Sequence, residues 1–218
     1  MDGTLYDTEM LSGRAWVRAC AEFGYELTLR QTCGFHGHNA RDNETVFKKL
    51  FGPDAPYWEI RRVRYRYMME VIERDGVPVK PGVFELFRVL RDKGIKICVA
   101  TGTQRDTAED YWRRTGVDAW LDASVCGDEI TRSKPDPEVF LKAAEAVGTD
   151  PRACVVFEDS PFGIRGAKTA GCMAVMIPDM DPADDDMRKT ADLVLPSLLD
   201  AARLAEESWP AVTAAPQE

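Results

Sequence analysis

The sequence predicts an α/β protein with a parallel-sheet core, helices on both faces of the sheet, and a small all-α domain. From residue 77 onward, short apolar runs alternate with amphipathic helical segments, as parallel sheets require. From residue 9 to 76 the spacing is helical throughout, without a β-branched strand-like run. The predicted divisions are a core of residues 1–8 and 77–206, a helical domain of residues 9–76, and a disordered tail of residues 207–218, which is rich in Pro, Ala and Glu.

The first third of the chain contains four predicted helices. Gly24 ends the first of them, and Thr28 has the side chain of an N-cap for the second. The second runs into a glycine-containing segment with the two histidines, His36 and His38, which are candidate substrate-binding residues or ordinary exposed loop residues. The predicted helices are Met10–Phe23, a short one after Thr28, Arg41–Phe51 and Pro56–Arg74.

The pattern changes at the Pro-Gly pair of residues 81 and 82, after which helices and strands alternate. Glycines end two of these helices, at Gly94 and Gly116. The predicted helices are Val83–Lys93, Asp106–Thr115, Pro137–Val147 and Phe162–Ala170. The predicted strands are Ile95–Ala100, Ala123–Cys126, Ala153–Phe157, Cys172–Ile177 and Leu193–Leu195.

Composition narrows the classes of partner and location. The formal net charge of -9 argues against a nucleic-acid backbone as partner. The basic, aromatic run of residues 61–67 is interpreted as a solvated helix face beside a packed one. The six cysteines are scattered, which argues against zinc and disulfides and predicts a reduced, cytoplasmic setting. We expect no membrane span and no signal peptide, because no apolar run approaches about 18 residues.

Chemically useful side chains follow the predicted strands where each strand ends. Ligands bind open parallel sheets outside the carboxyl ends of the strands. The residues at these ends should therefore share one rim of the sheet, together with the acidic turn that opens the chain. The rim residues are Asp2, Thr101, Gly102, Lys134, Glu158 and Asp159.

These residue types are suited to phosphoryl transfer assisted by magnesium. Mg²⁺ prefers oxygen ligands and is often held by one or two carboxylates plus a substrate phosphate. A lysine can neutralise phosphate charge, a threonine hydroxyl can donate to a phosphoryl oxygen, and an aspartate can act as nucleophile. The sequence has no GxxxxGK[ST] motif, which argues against a nucleotide-binding P-loop.

Each rim residue also has a simpler interpretation. Thr101 would suit a helix cap, and Lys134 a solvated loop. Glu158 and Asp159 would suit a helix N-terminus, where the dipole favours acids. Asp2 would suit an ordinary acid near a terminus. Their occurrence on one edge, in a particular order along the chain, favours a site.

That order resembles the motif series of the haloacid dehalogenase superfamily. The stretch from Met1 to Asp7 matches that family's first motif, DxDGT[LV] after an apolar strand, from its second residue onward. Thr101 matches the second motif, Lys134 the third, and residues 158–160 (Glu-Asp-Ser) the fourth. The resemblance covers the chain to about residue 205. It implies a Rossmann-like core with a helical cap similar to that of phosphoglycolate phosphatases and β-phosphoglucomutases.

The resemblance also implies roles for these residues. Asp2 resembles the general acid/base, and its backbone carbonyl would be a magnesium ligand. Glu158 and Asp159 resemble the carboxylate part of the metal site. Thr101, with Gly102, resembles the phosphoryl-orienting segment, and Lys134 the lysine that neutralises charge.

In the family, the nucleophilic aspartate stands two residues before the acid/base, at the end of a central strand that lies between the strand ending at Thr101 and the one ending at Phe157. Without that strand, we expect the remaining strands to lack a centre. Here Met1 is the residue directly before Asp2. We therefore expect the natural protein to begin upstream, with about six to ten further residues forming an apolar strand that ends in Asp. We also expect the chain from Met1 to be inactive.

The favoured function is magnesium-dependent hydrolysis of a small phosphorylated metabolite through an aspartyl-phosphate intermediate. One alternative is a sugar phosphomutase of the β-phosphoglucomutase type, and another is a catalytically silent protein that binds a phosphorylated ligand or a partner. Those mutases have a histidine three residues before an Ala-Trp pair in the first cap helix. Here Ser12 precedes Ala15 and Trp16, which favours water as the acceptor. Length, the helical insertion and motif order exclude a receiver-type signalling domain.

Overall fold

A computed structural model describes residues 1–35, 40–180 and 182–212, and confirms the predicted α/β class. The helices are α1 Thr8–Glu22, α2 Leu29–Thr32, α3 Ala40–Phe51, α4 Tyr57–Asp75, α5 Val83–Asp92, α6 Arg105–Thr115, α7 Glu138–Ala146, α8 Pro161–Ala170, α9 Asp185–Thr190 and α10 Leu198–Ser208. The strands are β1 Cys98–Ala100, β2 Ala123–Val125, β3 Val155–Glu158, β4 Met173–Met176 and β5 Leu193–Val194.

The strands pair in parallel, but in two separate pieces. One piece is β1 with β2, with Val99 opposite Ser124, and the other has the order β3-β4-β5, with Phe157 opposite Val175. Strands β1 and β3, each at an edge of its piece, both line a largely apolar cavity of about 700 Å³. The sheet is therefore interrupted between β1 and β3, the place at which the resemblance locates the family's central strand.

Helices cover both faces of the sheet, as predicted. Successive side chains of a strand point to opposite faces, and β4 shows this clearly. Val175 lies in an apolar layer with residues of α5, α6 and α10, whereas Ala174 and Met176 lie in a second layer with residues of α7 and α8. The carboxyl ends of the strands are left open between these two layers.

The cap has its own aromatic core, contributed by α1, α3, α4 and the turn after α2. Trp16 stacks on Tyr57 with ring centroids 5.7 Å apart, and Phe47 lies 5.8 Å from Trp16 and 4.7 Å from Phe51. Two adjacent chain segments connect the cap to the core. In these segments the Asp7 amide donates to the Pro78 carbonyl.

The end of the chain differs from the sequence prediction. The tail boundary predicted at residue 207 falls inside α10, which continues to Ser208. Beyond it, the Trp209 ring stacks on Phe157 and the Val212 amide donates to the Lys93 carbonyl at 2.7 Å. These contacts extend the ordered chain to residue 212. The rest of the predicted tail lies outside the described residues, as do His36 and His38.

Among the residues that the structure describes, no helix is both long enough and apolar enough to cross a bilayer. None of the six cysteines is part of a disulfide bond.

Replacing Phe47 with Ala should unfold the cap most readily, because the Phe47 side chain is fully buried among aromatic rings. We expect a loss of about 3–5 kcal/mol from the free energy of unfolding of the cap. The matched control is Phe23→Ala, because Phe23 is 39% exposed at the end of α1, and it should cost no more than about 0.5 kcal/mol. Urea denaturation followed by tryptophan fluorescence measures both, and equal losses would contradict this description of the cap core.

Candidate active site

A tight turn at the start of the chain positions the first site residues. The Met1 carbonyl accepts the amides of Leu5 at 2.7 Å and Tyr6 at 3.2 Å, and the Gly3 amide donates to the Tyr6 carbonyl at 2.9 Å. Gly3 has a φ of +70°, and a Cβ there would lie 2.2 Å from Oδ2 of Asp159. Only glycine satisfies both the backbone conformation and the closeness to the carboxylate. The turn is therefore pressed directly against Asp159.

Two adjacent carboxylates at the end of β3 have different surroundings. The buried Glu158 carboxylate is paired with Lys134, whose Nζ lies 3.0 and 3.2 Å from its two oxygens, and accepts the Ser160 hydroxyl at 2.7 Å. Asp159 accepts the Thr4 hydroxyl at 2.8 Å. Glu158 is thus committed to the lysine, while Asp159 keeps oxygen lone pairs for another ligand.

The pKa values of Glu158 and Asp159 diverge because of these different surroundings. Burial alone would raise the pKa of Glu158, but the Lys134 ammonium, the chain's terminal ammonium and the Ser160 hydroxyl hold it below its usual range. Burial, and then the charge of Glu158, raise the pKa of Asp159 to about 7. A bound cation would favour the ionised form of Asp159.

Asp2 lies in a different hydrogen-bond network. Its two carboxylate oxygens accept the hydroxyls of Thr8, at 2.6 Å, and Thr103, at 2.7 Å. Thr8 is the first residue of cap helix α1, so one of these bonds joins the cap to the core. Thr103 was not among the predicted site residues, although its position two residues after Thr101, in the same loop, could have indicated it.

Thr101 and Gly102 occupy the loop at the end of β1. Thr101 is buried, and its hydroxyl accepts the Thr103 amide at 3.1 Å, so the hydroxyl proton can still be donated to a ligand. Gly102 is exposed. Its carbonyl is backed by Gly127, where a Cβ would lie 2.1 Å away. That close approach fixes the loop.

The cap contributes charged groups that the sequence analysis did not single out. Burial, followed by the charges of Asp2 and Asp159, raises the pKa of Glu9 to about 8. Arg64 donates to the Ser12 hydroxyl, its Nε is buried without a partner among the described residues, and burial lowers its pKa. These groups lie in the two longest cap helices, α1 and α4. Glu9 and Arg64 interact electrostatically with groups that are distant in the sequence, so local sequence patterns did not identify them as site residues.

The structure thus brings five predicted site residues into two neighbouring networks. Lys134, Glu158 and Asp159 lie together at the end of β3, while Asp2 and Thr101 share the partner Thr103. Among the described residues, no three His, Cys, Asp or Glu side chains are grouped closely enough to hold a metal alone. The donors present are hard oxygens, which suit a cation that also takes backbone and ligand oxygens.

Comparisons with known proteins agree with this geometry. The family model described as "Haloacid dehalogenase-like hydrolase" matches residues 1–177. The chain is 41% identical to (DL)-glycerol-3-phosphatase 1, mitochondrial, of Arabidopsis thaliana over 216 residues, covering 96% of this chain and 71% of that protein. It is 30% identical to a phosphorylated carbohydrates phosphatase of Thermotoga maritima over 184 residues, covering 78% of this chain and 79% of that protein.

A solved structure, that of a hydrolase from Pseudomonas syringae, has the same fold. It matches with a TM-score of 0.81 and 22% identity, over 95% of this chain and 96% of that one. At this identity the likeness concerns the fold alone. The family match and the phosphatase relatives show that the chain belongs to the haloacid dehalogenase-like hydrolases and is by family a phosphoric monoester hydrolase.

Proposed function

We propose that the protein hydrolyses a small phosphorylated metabolite with the help of Mg²⁺. The observation that carries the proposal is that the two carboxylates at the end of β3 have different partners. Lys134 neutralises the buried Glu158, and this leaves Asp159 available to a cation beside the rim. The names of the two relatives, which concern glycerol 3-phosphate and phosphorylated carbohydrates, support a small polyol or sugar phosphate as the substrate class.

Asp159 and the backbone carbonyl of Asp2 would hold the magnesium ion. Gly3, whose amide shares a peptide group with the Asp2 carbonyl, lies against Asp159, and both proposed ligands are the hard oxygen donors that Mg²⁺ prefers. When bound, the ion would supply positive charge to the oxygens of a transferring phosphoryl group. Glu158 would act on the metal indirectly, because its oxygens are engaged by Lys134 and Ser160.

The remaining rim residues would orient the phosphoryl group and move a proton. The Thr101 hydroxyl would donate to one phosphoryl oxygen, and a Lys134 proton not directed at Glu158 would face another. Asp2 would protonate the leaving oxygen and then remove a proton from water. Its bonds to Thr8 and Thr103 hold its carboxylate in one orientation for both steps.

The nucleophilic aspartate expected from the resemblance stays a prediction, and the cavity between β1 and β3 supports it. The cavity is largely apolar, and a strand edge lies on each side of it. A parallel strand placed there would pair with both edges and join the two pieces into one sheet. An aspartate at the carboxyl end of that strand would lie at the rim beside Met1.

A chain extended ahead of Met1 by six apolar residues and a final Asp should release phosphate from glycerol 3-phosphate only when Mg²⁺ is present. The matched control carries Asn as its last added residue, which removes the nucleophile and preserves the strand. We expect release by the Asp form to exceed that of the Asn form and of residues 1–218 by at least about a hundredfold. A colorimetric phosphate assay over a panel of sugar and polyol phosphates provides the measurement.

Turnover by residues 1–218 alone, dependent on Mg²⁺ and lost in Asp159→Asn, would overturn the expected nucleophile but keep the phosphatase. Absence of phosphate release by the Asp form over the whole panel would overturn the proposed function.

Mg²⁺ should bind about tenfold more weakly at pH 6 than at pH 8, because a carboxyl with a pKa of about 7 must lose its proton before it can ligate the ion. Affinity should rise with pH and level off above pH 7. Titration calorimetry of residues 1–218 measures this dependence. Asp159→Asn should lose the binding, whereas Asp186→Asn, which removes an exposed partner of Arg165, should retain the parental profile. A pH-independent affinity would contradict the role given to Asp159.

Water should be the acceptor of the phosphoryl group, so β-glucose 1-phosphate should yield glucose and phosphate rather than glucose 6-phosphate. The supporting observation is that Ser12, at the position of the mutase histidine, is bound by Arg64 and carries no titratable proton. Product analysis by ³¹P NMR with the Asp-extended chain distinguishes the outcomes. Efficient formation of glucose 6-phosphate would identify a phosphomutase.

A further inference from the structure

Lys80 has an unusual position for a lysine between two domains. It lies in the segment that returns from the cap to the core, and its side chain is only 17% exposed. Its ammonium donates to the Gly3 carbonyl at 2.8 Å and pairs with the Asp179 carboxylate, which is 12% exposed and follows β4. Burying a lysine is unfavourable unless the charge is paired and hydrogen-bonded. This position therefore requires both of its partners.

Lys80 holds the peptide group between Gly3 and Thr4, which directly follows the peptide group whose carbonyl belongs to the proposed cation site. The Gly3 amide donates to the Tyr6 carbonyl, the Gly3 carbonyl accepts from Lys80, and the Gly3 Cα lies against Asp159. The Asp2 carbonyl is part of the same peptide unit as the Gly3 amide. Fixing Gly3 on both sides therefore sets the separation between the Asp2 carbonyl and the Asp159 carboxylate.

The same lysine is anchored to the connection between the cap and the core. Its amide donates to the Leu5 carbonyl at 2.9 Å, and the preceding residue, Val79, bridges Tyr6 in antiparallel fashion. A displacement of the returning segment would therefore move the ammonium relative to Gly3.

The Asp179 carboxylate is not satisfied as a purely stabilising group would be. Its Oδ2 is buried and has no hydrogen-bond partner among the described residues. A buried polar atom without a partner reduces stability. An apolar pair of similar volume would avoid this cost, which argues that the ion pair serves the geometry of the Gly3 turn.

We propose that Lys80, oriented by Asp179, is a positioning residue that fixes the Gly3 carbonyl and thereby sets the geometry of the divalent-cation site formed by the Asp2 carbonyl and Asp159. This inference rests on the proposed function for the identity of the ligand. The positioning itself concerns the Gly3 turn, which can be measured without any ligand.

The first test measures Mg²⁺ affinity of residues 1–218 by titration calorimetry. Lys80→Met should weaken Mg²⁺ binding by about tenfold or more, the usual scale for a group that orients a metal ligand, and Lys80→Arg, which keeps a donor, should recover most of the loss. The matched control is Lys168→Met, which removes a comparable but more exposed pair with Asp192 and should leave the affinity unchanged.

Exchanging the charges separates positioning from simple stabilisation. The double variant Lys80→Asp with Asp179→Lys keeps an ion pair but presents a carboxylate to the Gly3 carbonyl. We expect its thermal midpoint to recover toward the parental value relative to Lys80→Asp alone, while Mg²⁺ affinity stays low. Recovery of both would show that the pair only stabilises the fold and would overturn the proposal.

Hydrogen exchange of the Gly3, Leu5 and Tyr6 amides makes the test independent of the metal. Loss of Lys80 should accelerate exchange at this turn by about tenfold or more, through more frequent local opening, while Lys168→Met should not. If the parental chain fails to bind Mg²⁺ yet Lys80→Met shows this acceleration, the proposed metal site fails and the positioning role stands. Unchanged exchange in Lys80→Met would overturn the positioning role, whatever the metal result.

Discussion

The placement of two carboxylates side by side at the end of one strand is the constraint on which the rim depends. Glu158 is buried, and removing a carboxylate from water costs several kcal/mol unless an opposite charge compensates. Lys134 supplies that charge from the loop before α7. Gly163 makes room for the Glu158 side chain, since a Cβ at position 163 would lie 1.9 Å from Oε1 of Glu158. Ser160 both caps α8 and donates to Glu158.

The surroundings of the second carboxylate, Asp159, follow from those of the first. With Lys134 committed to Glu158, Asp159 has the Thr4 hydroxyl and the Gly3 turn beside it. Burial of Asp159, and then the like charge of Glu158 beside it, raise the pKa of Asp159. Hydrogen bonds to Met1 and Tyr6 hold the Gly3 turn in place against Asp159. The turn and the pair of carboxylates at the end of β3 therefore form one unit.

Much of this arrangement could be predicted from sequence because it is encoded locally. Helical and strand periodicity located most elements of the core and the cap, and the rule for strand ends placed Thr101, Lys134 and Asp159 on one edge. The interruption of the sheet was expected from the resemblance rather than from periodicity. Periodicity identifies a strand from its own residues only, whereas the gap between β1 and β3 follows from the order of strands in the family.

Residues that act through distant partners escaped the same reasoning. Lys80 meets Gly3 across 77 positions and Asp179 across 99. Alone in the sequence, each resembles an ordinary linker lysine or loop aspartate. Arg64 lay in a basic run interpreted as a solvated helix face, yet its guanidinium is bound to Ser12, 52 positions earlier. Only the three-dimensional structure shows how the position of Arg64 in helix α4 differs from the positions of its neighbours.

The balance of charge around the rim bears on the order of ligand binding in the proposed function. The charges of Asp2 and Asp159 both act on Glu9, and the whole chain carries a formal net charge of -9. A phosphate dianion approaching this group alone would be repelled, since Lys134 is already engaged by Glu158. A divalent cation would meet the opposite situation, because its charge would favour the ionised form of Asp159. In the proposed function, cation binding would therefore precede or accompany phosphate binding, and the guanidinium of Arg64 adds a positive charge on the cap side.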